Sequence, residues 1–271
     1  MTALSFYHGP DLEPVVLDAL RAAGRSVDPL DSDDLAAMDE FHALGRLGTL
    51  ALAELASVTP KDRVLDVGAG IGGPSRALAR HFGAAVTALD PTPRFCRLAR
   101  ALNERCGLAE RVTVVQGDGR TLPFADRSFD IAWTQAVWQS VEDKASLCAE
   151  IHRVLRPGGR LALFEVIAEG SGELHYPVPW ADRPAESFVI SREQWLGILA
   201  AAGLQPIQWL TGEEVQSALA AAANSGAVLP AGVSGIGLEL LLPDYEARMA
   251  GLARNVEEGR VTLLMALLEA R

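Results

Sequence analysis

Apolar positions along this chain fall either at helical spacing or into short continuous runs. Between Asp11 and Ala23, Leu12, Val16, Leu17 and Leu20 recur at helical spacing and share one face. Asp31 or Ser32 can cap a short second helix, because a side-chain oxygen there accepts from free backbone N–H groups. The spacing predicts a third helix over Glu40–Ser57, ended before Pro60. Short apolar runs then predict strands at Arg63–Val67, Ala85–Leu89, Val112–Gln116, Phe129–Trp133 and Arg160–Val166. Helices at Pro74–Phe82, Pro93–Cys106 and Lys144–Leu155 fall between them. A helix at Ser191–Ala202 and a sixth strand at Pro206–Leu210 follow. Val261–Ala270 reads as a seventh strand, although its apolar run also suits a helix. Strands alternating with helices argue an α/β fold with a parallel sheet covered on both faces.

Thr211–Arg260 is too long for a plain connection, so a helical insertion acting as a lid is expected there. Asp244–Val256 has helical spacing, and Gly226, Gly232 and Gly235 would let the segment open and close. The expected division is a helical cap over 1–58, a core over 59–210, the lid over 211–260 and a final strand over 261–271.

Composition narrows the class. Of the 271 residues, 49% are hydrophobic and 22% charged, which fits a globular protein and excludes a disordered one. The apolar stretches Ile236–Leu242 and Val261–Leu268 are far too short to span a bilayer. The opening MTALSFYHGPDLEP has no basic flank and no apolar core, so no signal peptide is expected. Cys96, Cys106 and Cys148 fit no zinc, iron–sulfur or disulfide spacing, and a reducing cytoplasm is the expected location. The net charge of −11 opposes a nucleic-acid partner through phosphate repulsion.

The most informative stretch is Val64-Leu65-Asp66-Val67-Gly68-Ala69-Gly70-Ile71-Gly72-Gly73-Pro74. A strand runs into a glycine loop, and a helix opens at Pro74, a good first helical position. Glycines let the backbone approach a ligand, and the helix N-terminus presents free N–H groups. Gly68, Gly70 and Gly73 satisfy G-x-G-x-x-G, and Asp90 stands where a ribose-binding acid belongs. A nicotinamide dehydrogenase and an S-adenosylmethionine (SAM) methyltransferase are both open at this point, because both ligands carry a ribose diol.

Three features separate them. Asp66, two residues before the glycines, would repel a pyrophosphate but suits the ammonium of a methionine moiety. Gly117-Asp118-Gly119 ends the third strand with an acidic acceptor for an adenine amino group. Leu155-Arg156-Pro157-Gly158-Gly159-Arg160 links a helix to the fifth strand. Together these resemble the class I SAM-dependent methyltransferases, in particular the small-molecule branch of ubiquinone/menaquinone, tocopherol and phosphoethanolamine methyltransferases. The resemblance covers Asp39 to about Leu210. It implies a Rossmann-like seven-stranded sheet with the last strand antiparallel.

The resemblance also implies site residues. Gly68, Ala69 and Gly70 would line the methionine part of SAM, with Asp66 beside them. Asp90 would take the ribose hydroxyls, with Pro91 beside the adenine, and Asp118 and Gly119 would meet the adenine edge. Thr134 and Gln135, just past the fourth strand, would meet the methionine end. Asp39-Glu40-Phe41-His42 would start a helix over the cofactor, with His42 touching SAM or the acceptor. Relatives often carry a histidine where Ser140 stands here. The Asn/Asp-Pro-Pro-Tyr motif of amine methylation is absent, Trp133-Thr134-Gln135-Ala136 standing in its place, and the cysteine spacing excludes radical SAM chemistry.

Methyl transfer from a sulfonium needs alignment and exclusion of water, and some acceptors also need a base. The residues offer Glu165, near the end of the fifth strand, and His175, in the Pro- and aromatic-rich loop Gly172–Trp180, as bases, with His42 third. Trp138, Tyr176 and Trp180 could form an apolar pocket or hold a cationic acceptor. The expected function is SAM-dependent methyl transfer to an O, N, C or S nucleophile of a small molecule in specialised metabolism. The alternatives are an NAD(P)-dependent oxidoreductase and a methyltransferase-fold protein that binds SAM without transferring its methyl.

Overall fold

The computed structural model describes residues 9–42, 44–224 and 235–271. Seven strands, β1 (Arg63–Val67), β2 (Ala85–Asp90), β3 (Val112–Gln116), β4 (Phe129–Gln135), β5 (Leu155–Ala168), β6 (Leu204–Thr211) and β7 (Val261–Ala270), form one sheet. Their order is β3-β2-β1-β4-β5-β7-β6. The first five strands run parallel, and β7 lies antiparallel between β5 and β6. The expected seven-stranded sheet with its last strand antiparallel is therefore present. The open choice at Val261–Ala270 resolves to a strand. Its continuous apolar run reflects pairing on both edges and burial of Leu264, Met265, Ala266 and Leu268.

Nine α-helices are described: α1 (Glu13–Ala22), α2 (Ala36–Asp39), α3 (Gly45–Leu55), α4 (Gly73–His81), α5 (Pro93–Arg105), α6 (Lys144–Val154), α7 (Arg192–Ala201), α8 (Glu213–Asn224) and α9 (Tyr245–Glu257). Leu52 of α3, Leu78 of α4 and Leu219 of α8 cover one sheet face over Val64, Ile131 and Trp133. Leu147 and Ile151 of α6 and Trp195 and Leu199 of α7 cover the other, over Leu65, Val67 and Leu163. Leu12, just ahead of α1, and Val16, Leu17 and Leu20 on it pack on Phe95, Leu98 and Leu102 of α5.

Several boundaries differ from the sequence expectation. The helix expected from Glu40 begins at Gly45, after Leu44 in a left-handed conformation (φ 73°). Glu40 and His42 lie in the turn before it and point inward into a polar cluster, which a continuous helix would not allow. Strand β4 extends through Thr134 and Gln135, placing both inside the strand and not just past it. Strand β5 begins at Leu155, paired with Phe129 ahead of an irregularity in the register.

The 211–260 segment divides. Helix α8 packs through Val215, Leu219 and Ala222 into the same core as α3 and the sheet. Ile236, Leu241 and Leu242 pack with Leu35, Met38 and Ile71 of the cap and glycine loop. Helix α9 locks onto the 174–182 loop. Asn255 donates to the His175 carbonyl at 2.9 Å and accepts from its N–H at 2.8 Å, while Arg248 donates to the Val178 carbonyl and pairs with Asp182. Gly226 and Gly232 lie outside the described residues; Gly235 has a φ of 80°. Since Leu219 is part of the sheet core, Leu219→Ala should lower unfolding free energy in urea titration by about 2–5 kcal/mol. An unchanged midpoint would mean that α8 is detachable from the core.

Candidate active site

In an open parallel sheet the crevice lies where strand order reverses, at the C-terminal ends of the strands. Here that point falls between β1 and β4, with β2 beside them. Gly68 N–H and Ala69 N–H both donate to the Leu89 carbonyl, at 2.8 and 3.0 Å, tying the loop after β1 to β2. Gly70 N–H donates to Asp90 Oδ2 at 2.9 Å, and Thr92 N–H donates to Asp90 Oδ1 at 2.8 Å. Asp66 is buried at the end of β1 and accepts from Ser75 Oγ at 2.6 Å. The loop is packed from behind. A Cβ at Gly68 would sit 2.5 Å from Val137 Cγ2, and one at Gly73 would fall on the Asp39 carbonyl. A Cβ at Gly70 would meet nothing within 4 Å, so the loop is open on that side.

A buried ionic cluster joins the cap to this loop. Arg76 of α4 donates to Asp39 Oδ2 at 2.9 Å and to Asn103 Oδ1 at 3.0 Å. Arg46 of α3 pairs with Glu40 through its Nε and reaches Asp33 at 3.1 Å and Asp39 at 3.4 Å. Glu40 Oε2 lies 2.7 Å from His42 Nε2 and accepts from Thr49 Oγ1 at 2.8 Å. Thr49 Oγ1 also lies 3.1 Å from Gln135 Oε1, and Gln135 Nε2 lies 3.2 Å from His42 Nε2. The His42 ring stands edge-on to Phe164, centroids 5.7 Å apart. Sequence reading named His42 and Gln135 but missed Glu40, Arg46, Thr49 and Arg76 as partners. The available signal was an arginine among the small and apolar residues of α3 and another on α4.

Burial opposes charge throughout this site. It pushes Asp66 up to about 7, against the Ser75 hydrogen bond and with added repulsion from Glu40 and Asp90. Burial likewise pushes Asp90 up to about 6, against the N–H groups of Thr92 and Gly70. Burial also acts on Glu40, but Arg46 and His42 outweigh it and hold that carboxyl at about 2. The buried arginines of the cluster, Arg46 and Arg76, are both committed to carboxylates, so the crevice presents acid and not base. That donor set fits a cofactor with an ammonium and a ribose diol, and it does not fit a pyrophosphate.

Residues 65–163 match a family model described as a methyltransferase domain. Residues 65–163 are therefore similar to a methyltransferase domain. Methyltransferase GfsG of Streptomyces halstedii is 36% identical over 138 residues, covering 51% of this chain and 50% of that protein. The chain spans half or less of the length of the first curated relatives it matches. Two solved structures share the fold over nearly their whole length. The [4+2]-cyclase SpnF has a TM-score of 0.63 at 22% identity, covering 97% of both chains. A geranyl diphosphate C-methyltransferase from Streptomyces coelicolor, solved with S-adenosylhomocysteine (SAH), has a TM-score of 0.67 at 16% identity, covering 98% of this chain and 95% of that one.

Within the methyltransferase domain, Asp66, Gly68, Ala69, Gly70, Asp90 and Gln135 gather at the crevice, with Pro91 next to Asp90. His42, from the cap, joins them through Gln135. Gly119 packs tightly on Val67 and Leu147, which holds the turn after β3 beside the end of β1. The Asp118 carboxylate is held by Arg120, with contacts of 2.6 to 3.2 Å, and its pKa is lowered by that pairing. Thr134 is fully buried and accepts from Trp138 Nε1 at 2.9 Å, so its side chain braces the loop after β4.

The other base candidates lie in different surroundings. Glu165 is buried and accepts from Val137 N–H at 3.0 Å and Trp138 N–H at 3.2 Å, so its carboxyl clamps the loop after β4. Burial pushes it up to about 8, against those bonds. His175 Nε2 lies 2.8 Å from Glu258 Oε2, beyond the end of α9, and its contacts are with α9 and not with the glycine loop. Trp138 is wholly buried against Trp195, and Trp180 is buried with Val166 and Val261. Both are core aromatics and not pocket walls.

Asp66, Asp90 and Glu165 bind protons more tightly folded than unfolded, so their contribution to stability falls as pH rises from about 4 to 8. Glu40 and Glu258, held at about 2, contribute stability above about pH 4.5 that is lost toward pH 2. Between pH 5 and 8 the melting temperature of the ligand-free protein should therefore fall as pH rises, and Glu165→Gln should flatten the slope. A melting temperature that climbs with pH over this range would contradict the burial of these groups.

Proposed function

We propose that this protein transfers the methyl group of SAM to a nucleophilic atom of a small-molecule acceptor in specialised metabolism. The observation that carries the reading is the pair Asp66 and Asp90 flanking a glycine loop open at Gly70. Relatives acting on small molecules, such as the geranyl diphosphate C-methyltransferase, support the acceptor class. Asp90 is proposed to accept from the ribose hydroxyls, with Pro91 beside the adenine and Asp118 and Gly119 at its edge. Asp66, Gly68, Ala69, Gly70 and Gln135 are proposed to surround the methionine part, with Thr134 supporting them from behind through Trp138. When bound, SAM supplies a methyl group already activated by its sulfonium.

The chain's own work is then to align the acceptor, exclude water and, where the acceptor needs it, take a proton. His42 is the proposed base, because it reaches Gln135 at the crevice while Glu165 is committed to the Val137 and Trp138 N–H groups and His175 to Glu258. The ionised Glu40 beside it would stabilise the imidazolium. Ile236, Leu241 and Leu242, beside the glycine loop and cap, and α9 with the 174–182 loop are the parts of 211–260 proposed to close over the acceptor. Among the described residues no helix is long and apolar enough to cross a membrane. A cytoplasmic location and the absence of a nucleic-acid partner are proposed from the acidic charge and cysteine usage.

A second reading, SAM binding without methyl transfer, is favoured by Ser140 at the family's histidine position and by the engagement of Glu165 with the loop. SAM with a labelled methyl group separates the two, because only a transferase places the label on the product. Calorimetry should show SAM and SAH binding and no NAD(H) binding, and Asp90→Ala should weaken SAM at least about tenfold. On an acceptor that needs deprotonation, His42→Ala should lower turnover by about 10²–10⁴ with SAM affinity held. Tight NAD(H) binding without a response to SAM would overturn the proposal.

A further inference from the structure

Of the 24 lysine and arginine residues in the chain, only Lys61 and Lys144 are lysines. Lys61 is exposed in the turn before β1, whereas Lys144 is 4% exposed. Lys144 is also the first residue of α6, where free backbone N–H groups already make the surroundings positive. Its ammonium is thus buried at the unfavourable end of a helix. The Asp143 carboxylate ahead of it is turned onto Ser146, accepting from its N–H at 3.0 Å and from its hydroxyl at 2.6 Å. Lys144 Nζ donates to the Val141 carbonyl at 2.5 Å and lies 5.8 Å from the centroid of the Phe188 ring. Among the described residues, Glu165 of β5 and Cys148, one turn along α6, are the titratable groups whose charge acts on it. Burial pushes Glu165 up to about 8 and Cys148 up to about 12, so neither offers a full negative charge at neutral pH. Burial pushes Lys144 itself down to about 8, against those two groups.

Lys144 also lines a cavity of about 310 Å³. Ala145, Phe188, Ile190 and Ile198 give it apolar walls, and its acidic members, Glu142 and Asp143, are exposed. None of these residues belongs to the set gathered at the glycine loop. A desolvated amine facing an apolar cavity is a nucleophile toward a carbonyl carbon. The walls suit an apolar carbonyl compound, and the two acids disfavour an anionic one. We propose that this cavity is a second ligand site, in which Lys144 forms an imine with a small apolar aldehyde. The Nζ lone pair attacks the carbonyl carbon and a C–N bond forms. The carbonyl oxygen then leaves as water, carrying the two amine protons, and the C–N bond becomes double. No oxidant or reductant is needed.

Reductive trapping on the full chain tests it. The probes are benzaldehyde and glyoxylate, cyanoborohydride fixes any imine, and peptide mass spectrometry reads each lysine, with Lys61 as the internal reference. At neutral pH benzaldehyde should label Lys144 at least about tenfold faster than Lys61, because more of its amine is uncharged. The Lys144 rate should saturate with benzaldehyde concentration, the mark of binding before reaction, while the Lys61 rate rises linearly. With the anionic glyoxylate the preference for Lys144 should fall at least about threefold. Ile198→Trp, which fills the cavity, should slow labelling of Lys144 at least about fivefold and leave Lys61 unchanged. The saturation measurement on the unaltered protein gives the same reading should that variant not fold. Lys61 labelled as fast as Lys144, a Lys144 rate linear in benzaldehyde, an equal preference with both aldehydes, or an unslowed Lys144 in folded Ile198→Trp would each overturn the site.

Discussion

The close approach of the cap to the first turn of α4 is the constraint on which the site depends. The Asp39 backbone lies where any side chain at Gly73 would be, and the Asp39 carboxylate is bonded to Arg76 one turn further along. Both ionic groups are fully buried. Taking charges out of water is costly, and removing one partner of such a pair strands the other, typically at about 3–5 kcal/mol. The pair therefore fixes where the cap sits more than it adds to stability. Because α4 starts directly from the glycine loop, fixing the cap on α4 also fixes Glu40 and His42 against the crevice.

A second clamp acts from below. Glu165 on β5 gathers the Val137 and Trp138 N–H groups and so shapes the loop after β4. Val137 in turn presses on Gly68, which keeps the glycine loop in its left-handed turn. The crevice is thus held between two buried acidic devices, one in the cap and one in the sheet. Gln135 lies between them, accepting from Trp133 Nε1 at 2.8 Å on the sheet side and lying beside Thr49 and His42 on the cap side. A loop fixed this way costs little reorganisation when a ligand arrives, which is the condition under which preorganised polar groups act most strongly.

The methyltransferase domain consequently concentrates negative charge where a cationic cofactor is expected, and spends its buried arginines on architecture. The outer half of the chain behaves differently. Helix α9 and the 174–182 loop are joined by Asn255 and Arg248 into one unit resting on Val166 and Val261. That unit is tied to the end of β5 and the start of β7, so its placement depends on the sheet being complete.

Much of this was legible along the chain because it depends on local pattern. Short apolar runs and period-3.6 patterns marked the first six strands and most helices, and the spacing of Gly68, Gly70, Asp66 and Asp90 pointed to a ligand loop. Those features are decided by residues within a turn or a strand of one another. The tertiary structure decided the rest. Val261–Ala270 became a strand because β5 and β6 supply partners on both edges, and Glu40 left the helical pattern because Arg46 and Thr49 draw it inward. Glu165 and Trp138 proved to be supports and not site groups, because hydrogen bonds and packing from distant segments had already taken them. A residue's neighbours across the fold are set by chain topology, and no period along the sequence encodes which carboxylate meets an arginine and which is left to meet a ligand.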